Sequence, residues 1–371
     1  MRIVYFSRTY TAHDLRFLTG LRAHGHDVVF LCLEKFSQAL EKRPLPEGVT
    51  VQSLQSNAVH DPAACLALMP AFEKALAHAH PDIVHAGPVP ICGFMAALSG
   101  FRPLVTMSWG SDILVEADRS PAWQWATTCA LRNTDVFQCD CDAVRTKALA
   151  LHPLRPEQIV QFPWGIDLKS FAPEGTVAGI REELGWQEKL VVISNRSWEP
   201  IYGIDTVLEA FRTAAQADER LRLLLLGHGS QADRVHAFLQ QHKLESKVFL
   251  GGRIGNDRLA PFLREADLYL SCSHSDGASI SLLEAMAMGL PCVISDIPGN
   301  REWLTPGEGG WLAGVGDAVA VTRALLAAVG LPPEQRARMG ARNRAIALER
   351  ADWNGNLVHL MAAYERLGGP R

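Results

Sequence analysis

The residues best suited to chemistry lie in Ser275–Pro291, S-D-G-A-S-I-S-L-L-E-A-M-A-M-G-L-P. An apolar run, Leu268–Cys272, leads into a polar loop and then into a helix. Asp276 and Gly277 precede the helix, and Ser279, Ile280 and Ser281 approach its start. N–H groups at a helix start, with the helix dipole, favour an anion such as a diphosphate. Glu284 follows, eight residues after Asp276. A carboxylate beside a phosphate cradle does not bind phosphate; it can accept hydrogen bonds from sugar or ribose hydroxyls. The structural alternative is that Asp276 caps the helix and Glu284 is a solvated surface residue. Glu284 sits between Leu283 and Ala285 in a mostly apolar helix, which speaks for the first reading.

Arg196 closes another apolar run, V-V-I-S-N-R. Its planar guanidinium matches phosphate bidentately. Six residues on, Tyr202 can offer one neutral hydrogen bond. Arg253, in F-L-G-G-R-I with Ile254, is a second cation, equally readable as a solvated surface arginine. In the first half, M-S-W-G-S-D at 107–112 ends a strand. Trp109 there can stack on a sugar face or donate its indole N–H. Asp112 can bind a sugar hydroxyl or support its loop, and it reads equally as a cap for the segment after it. His13 and Asp14 fall at the start of the first helix, where Asp14 can serve as its cap.

The elements that must position these residues form two series. Arg2–Ser7, Asp27–Leu33, Asp82–Ala86 and Leu104–Ser108 read as buried strands. Lys189–Asn195, Leu221–Gly227, Lys247–Gly251, Leu268–Cys272 and Pro291–Ser295 form the second set. Continuous Val/Ile/Leu runs separated by helices, such as Ile204–Ala215, predict doubly wound parallel sheets. The expectation is two Rossmann-like domains, 1–165 and 166–353, with turn residues clustering at 163–173. An amphipathic helix, 354–367, is expected to pack back on the first domain. Ligands of such sheets bind beyond the carboxyl ends of strands, and two domains facing each other would make a cleft.

Composition bounds the function. The chain has 371 residues, 48% of them hydrophobic, and a net charge of −4. That is enough for two cores. Lys plus Arg against Asp plus Glu is 14 to 15 over residues 1–165 and 22 to 25 over the rest. Neither half carries a nucleic-acid footprint. The eight cysteines include no C-x-x-C pair, and Cys139-Asp140-Cys141-Asp142 reads as a strand end and turn, so no metal site is expected. There is no signal core and no apolar window near 18 residues. A cytoplasmic protein is expected, with at most weak membrane contact, since no basic amphipathic helix is apparent.

The Asp276–Glu284 segment resembles the acidic-residue, seven-spacer, Glu signature of retaining GT-B glycosyltransferases, specifically family four. The likeness includes L-L-E-A-M-A-M-G-L-P, Ser295-Asp296 and G-N-R-E-W at 299–303. Gly25-His26-Asp27-Val28, Q-F-P-W-G-I-D-L-K-S-F at 161–171 and L-L-L-L-G-H-G at 223–229 resemble further signatures of that family, in the same order. The resemblance implies a sugar moved from a nucleotide-diphosphate donor (UDP-, GDP- or ADP-sugar) to a hydroxyl acceptor, with no bound cofactor and no metal. The implied mechanism is front-face, the leaving diphosphate helping to deprotonate the acceptor. Asp276 would contact the donor sugar, Ser279–Ser281 the sugar and phosphate, Glu284 the ribose and Arg196 the diphosphate. Arg253 and Ile254 would flank the base pocket. His13, Trp109 and Asp112 would lie on the acceptor side. A carbohydrate, a lipid-linked sugar and a small molecule are all open as acceptor. The sequence departs from the family at Tyr202, where a phosphate lysine is usual, and at Trp109, where a histidine is. Asp276, where Glu is commoner, reaches less far. A sugar-nucleotide epimerase, which can share the two-domain fold and the diphosphate site, and a phosphorylase-like enzyme with pyridoxal phosphate stay open, and the changes at Tyr202 and Trp109 keep open a non-catalytic nucleotide- or sugar-binding protein.

Overall fold

A computed structural model describes residues 1–57 and 61–368. The chain divides into two compact units, Met1–Pro163 with the chain from Asn354, and Trp164–Trp353. The division falls two residues before the expected one. Ile166 N–H donates to Ala351 O at 2.8 Å and Trp353 N–H to Ile166 O at 3.1 Å, which ties 164–166 to the end of the second unit.

Among the described residues the first unit holds seven strands: β1 (Arg2–Ser7), β2 (Asp27–Glu34), β3 (Val49–Ser56), β4 (Ile83–Gly87), β5 (Leu104–Met107), β6 (Val136–Cys139) and β7 (Ile159–Gln161). Their spatial order is β3-β2-β1-β4-β5-β6-β7, and every pairing is parallel. The five strands β1, β2, β4, β5 and β6 are buried almost throughout, as unbroken apolar runs require. The helix Trp353–Gly368 belongs to this unit from Asn354 onward. Its Tyr364 hydroxyl meets His85 Nδ1 on β4 at 2.5 Å, and Asn356 Nδ2 donates to Pro163 O at 2.8 Å.

The second unit holds β8 (Leu190–Ser194), β9 (Leu221–Leu226), β10 (Val248–Gly252), β11 (Leu268–Ser271), β12 (Cys292–Ser295) and β13 (Gly310–Ala313). Their order is β10-β9-β8-β11-β12-β13, again all parallel. Val192, Leu223, Leu225, Leu268, Leu270 and Phe211 are among its core residues. In each sheet the direction of winding reverses once, between β1 and β4 and between β8 and β11. Such switch points are where the loops beyond the strand ends part and leave room for a ligand.

Candidate active site

The switch point of the second unit gathers the residues that the sequence singles out. β8 ends at Ser194 and Arg196 lies two residues beyond. β11, paired to β8 through Leu268↔Val192 and Tyr269↔Ile193, ends at Ser271 and leads to Asp276. The 196–203 loop is clamped on the 272–274 loop: His274 N–H donates to Ile201 O at 2.8 Å. Gly203 is needed there twice over. Its φ is +61°, and a β-carbon would stand 2.1 Å from Cys272 O. From Gly203 the helix Ile204–Ala217 starts.

Arg196 is the centre of the site. Nη1 donates to Ser279 Oγ at 3.1 Å and to Ser281 Oγ at 3.0 Å. Nη2 lies 2.7 Å from Asp276 Oδ2. The guanidinium carbon sits 4.0 Å from the centre of the Tyr202 ring, within cation–π range. Behind the serines, the buried Tyr269 hydroxyl is 2.8 Å from Ser281 Oγ. Burial pushes the guanidinium towards neutrality, and Asp276, together with Tyr202, Tyr269 and Glu284, more than offsets this, leaving Arg196 firmly protonated.

Ser279 is the N-cap of the helix Ile280–Ala287, without a side-chain capping bond. The first-turn N–H groups of a helix have no acceptors within it, so Ile280 and Ser281 stand beside the guanidinium with their N–H groups at the positive end of the helix. Asp276 does not cap this helix; it pairs with Arg196 instead. The chain at Asp276–Gly277 runs against Gly299, where a β-carbon would meet Gly277 O at 2.4 Å and Asp276 O at 2.7 Å.

Glu284 is 3% exposed, which overturns the solvated alternative. Its Oε1 accepts from Asn256 Nδ2 at 2.6 Å. Arg253, just past β10, is exposed, and Ile254 is half-buried. Tyr202 also acts in a way its residue type did not suggest: its ring packs on the Arg196 guanidinium. Sequence reasoning missed Asn256 and Tyr269. The glycines around Asn256 (Gly251, Gly252 and Gly255) were the available signal for the first; the second reads as an ordinary strand residue.

The other three predicted residues meet at the switch point of the first unit, beyond β1, β4 and β5. The His13 and Trp109 rings are 5.5 Å apart and nearly perpendicular. Asp112 is 2% exposed. It accepts from Val89 N–H at 2.8 Å, Ser108 Oγ at 2.7 Å and Trp109 N–H at 2.9 Å. It therefore ties the loops after β4 and β5 together, the loop-supporting reading, and it does not cap the segment that follows, since the helix Ser111–Leu114 has Gly110 at its N-cap. Burial pushes its carboxyl up to about 7, against the hydrogen bonds from Ser108 and Val89. Asp14 is not the helix cap. Thr11 is, and Asp14 is its reciprocal partner, accepting from Thr11 N–H at 2.7 Å. Burial pushes Asp14 up to about 6. A cavity of about 160 Å³ opens here, lined by Arg8, Thr9, Thr11, Trp109 and Glu116 among others. A larger groove along Trp311 and Arg338, of about 690 Å³, holds none of the predicted residues.

Residues 178–346 match the family described as glycosyl transferases group 1, and residues 2–140 match glycosyl transferase 4-like. A phosphatidyl-myo-inositol mannosyltransferase of Mycobacterium tuberculosis is 30% identical over 217 residues, 57% of this chain and 54% of that one. An N-acetyl-alpha-D-glucosaminyl L-malate synthase of Bacillus anthracis is 26% identical over 250 residues, 66% of this chain and 62% of that one. The match to the mannosyltransferase spans about half of its length. Among solved structures, HepE of Anabaena in complex with UDP superposes with a TM-score of 0.82 at 18% identity, over 99% of this chain and all of that one. Family matches in both units, on two doubly wound parallel sheets, lead to one conclusion: the chain belongs to the GT-B glycosyltransferases.

Proposed function

We propose that the protein is a retaining, metal-independent glycosyltransferase that moves a hexosyl unit from a nucleotide-diphosphate sugar to a hydroxyl acceptor. The observation that carries this is the placing of Arg196 at the β8–β11 switch point, beside Asp276, Ser279, Ser281 and the helix start. In this reading the diphosphate lies on Arg196 and on the first-turn N–H groups at 280 and 281. Asp276 accepts a hydroxyl of the donor sugar, Glu284 accepts the ribose hydroxyls, and Arg253 and Ile254 flank the base. His13 and Trp109 meet the acceptor in the first unit, with Asp112 fixing the loop that carries Trp109.

In the front-face step, the bond from the anomeric carbon to the phosphate oxygen breaks and its electron pair leaves with the diphosphate. The acceptor oxygen bonds to the same face of that carbon, and its proton passes to the departing phosphate oxygen. Arg196 and the helix start act on the charge that develops there, where prearranged donors are most effective. The relatives, a mannosyltransferase and a glucosaminyl malate synthase, support a hexose-type unit and a hydroxyl acceptor. The UDP in HepE supports a nucleoside-diphosphate carrier. All eight cysteines are free thiols, which supports a reducing compartment.

Calorimetric titration of UDP, GDP and ADP, each with Mg²⁺ and with EDTA, tests the reading on the wild type and on Glu284→Ala. The expected result is roughly micromolar binding of one nucleotide, indifferent to EDTA and weakened more than about tenfold, or about 1.4 kcal/mol, in the variant. Binding of none of the three overturns the donor site. Binding abolished by EDTA overturns metal independence.

A further inference from the structure

We infer that Asp276 and the donor diphosphate compete for one guanidinium, so that Arg196 exchanges partners as the donor binds and again as the spent diphosphate leaves. The inference rests on the donor site proposed above. Three sides of Arg196 are engaged by the protein's own residues. Nη1 is held by Ser279 and Ser281, one face is covered by Tyr202, and Nη2 faces Asp276. The serines and the ring are neutral. The carboxylate is the only one of these partners that carries the charge a diphosphate carries.

The pairing with Asp276 is close but incomplete. Oδ2 lies 2.7 Å from Nη2, yet it is buried with no aligned hydrogen-bond donor among the described residues, and Arg196 Nε is likewise buried without an acceptor. Both groups retain bonding capacity that a buried polar atom rarely leaves unused. A phosphate oxygen would satisfy Nε, and a hydroxyl donor would satisfy Oδ2. A sugar diphosphate brings both. A carboxylate and a phosphate crowded on one guanidinium repel each other, so arrival of the phosphate turns Asp276 away from Arg196 and towards the sugar. Once the sugar has been transferred, nothing holds Asp276 there. Its return to Arg196 displaces the diphosphate product.

Removing the charge of Asp276 should therefore tighten binding of the bare nucleoside diphosphate. Asp276→Asn keeps the shape of the side chain and lacks its charge; Asp276→Ala removes the contact altogether. Both are titrated with whichever of UDP, GDP and ADP the wild type binds, and with the corresponding nucleoside. The expected result is a gain of about tenfold for the diphosphate in both variants, the effect of one partly buried ion pair, and no change for the nucleoside. A diphosphate affinity equal to or below that of the wild type in both variants overturns the exchange. If Glu284→Ala still weakens binding in that case, the donor site stands and only the exchange falls. If the wild type binds none of the three, both fall together.

Discussion

The Arg196 guanidinium carbon stands 4.0 Å from the centre of the Tyr202 ring, so the arginine proposed to meet the donor phosphate rests on an aromatic face. The ring is half-buried, and a cation over such a face gains about 0.5–2 kcal/mol. Tyr202→Phe keeps the face and loses the hydroxyl; Tyr202→Ala loses both. Nucleoside-diphosphate affinity should be nearly unchanged in the first and lowered roughly three- to thirtyfold in the second. Equal losses in the two variants would mean that the hydroxyl, not the ring, is what matters.

Gly299 fixes the other side of the site. A β-carbon at 299 would stand 2.4 Å from Gly277 O and 2.7 Å from Asp276 O. Both obstacles are backbone and cannot swing aside as a flexible side chain can. Gly299→Ala should displace the Asp276–Gly277 loop, costing about 1–3 kcal/mol in stability and weakening donor binding. Thermal unfolding and calorimetry read the two effects. A variant with wild-type melting and wild-type affinity would show that the loop yields freely.

Much of this arrangement was legible in the sequence, for identifiable reasons. β8 and β9, L-V-V-I-S and L-R-L-L-L-L, are nearly unbroken apolar runs, and burial on both faces of a sheet demands such runs. β3, V-T-V-Q-S-L-Q-S, lies at a sheet edge with several exposed residues. Its polar content hides it among loops. β13 has four residues and begins with glycine, too short to show a period. Asp276, Glu284 and Arg196 were legible because their spacing is carried by one loop-and-helix segment and one strand end. The partner of Asp276 was not, since a carboxylate just before a helix most often caps it, and the ion pair spans 80 positions of chain. The Tyr202 stack was hidden for the same kind of reason: residue type suggests a hydroxyl donor, whereas the turn at Pro200–Tyr202 presents the ring.

Asn256 supplies a measure of how firmly Glu284 must be held. Its side-chain amide donates to Glu284 Oε1 at 2.6 Å, and a hydrogen bond to a buried charged group is worth about 1.5–3 kcal/mol. In Asn256→Ala, ribose hydroxyls can replace part of that bond when the donor is bound, so donor affinity should fall less than in Glu284→Ala. Asn256→Asp sets a second carboxylate against Glu284 and should weaken binding more than the alanine variant. Calorimetry on the three variants gives the order. If Asn256→Asp binds the donor as well as the wild type, Glu284 is not ionised in the complex.

Two buried carboxyls of the first unit, Asp14 and Asp112, give a pH dependence with a definite sign. Burial raises Asp14 to about 6 and Asp112 to about 7, from 3.8 in an exposed chain. The folded protein therefore holds these protons more tightly than the unfolded chain does, and their contribution to stability is fully present below about pH 4. It is lost as the pH rises through 6 and 7, where the folded carboxyls ionise. Asp112→Asn removes one of the two titrations. It also turns an amide N–H₂ towards one of the donors at Val89, Ser108 or Trp109, which lowers stability at every pH. The melting temperature of the wild type should accordingly fall more steeply between pH 5 and pH 8 than that of Asp112→Asn, though it starts higher. Parallel slopes would show that Asp112 stays ionised across this range, its three hydrogen bonds outweighing its burial.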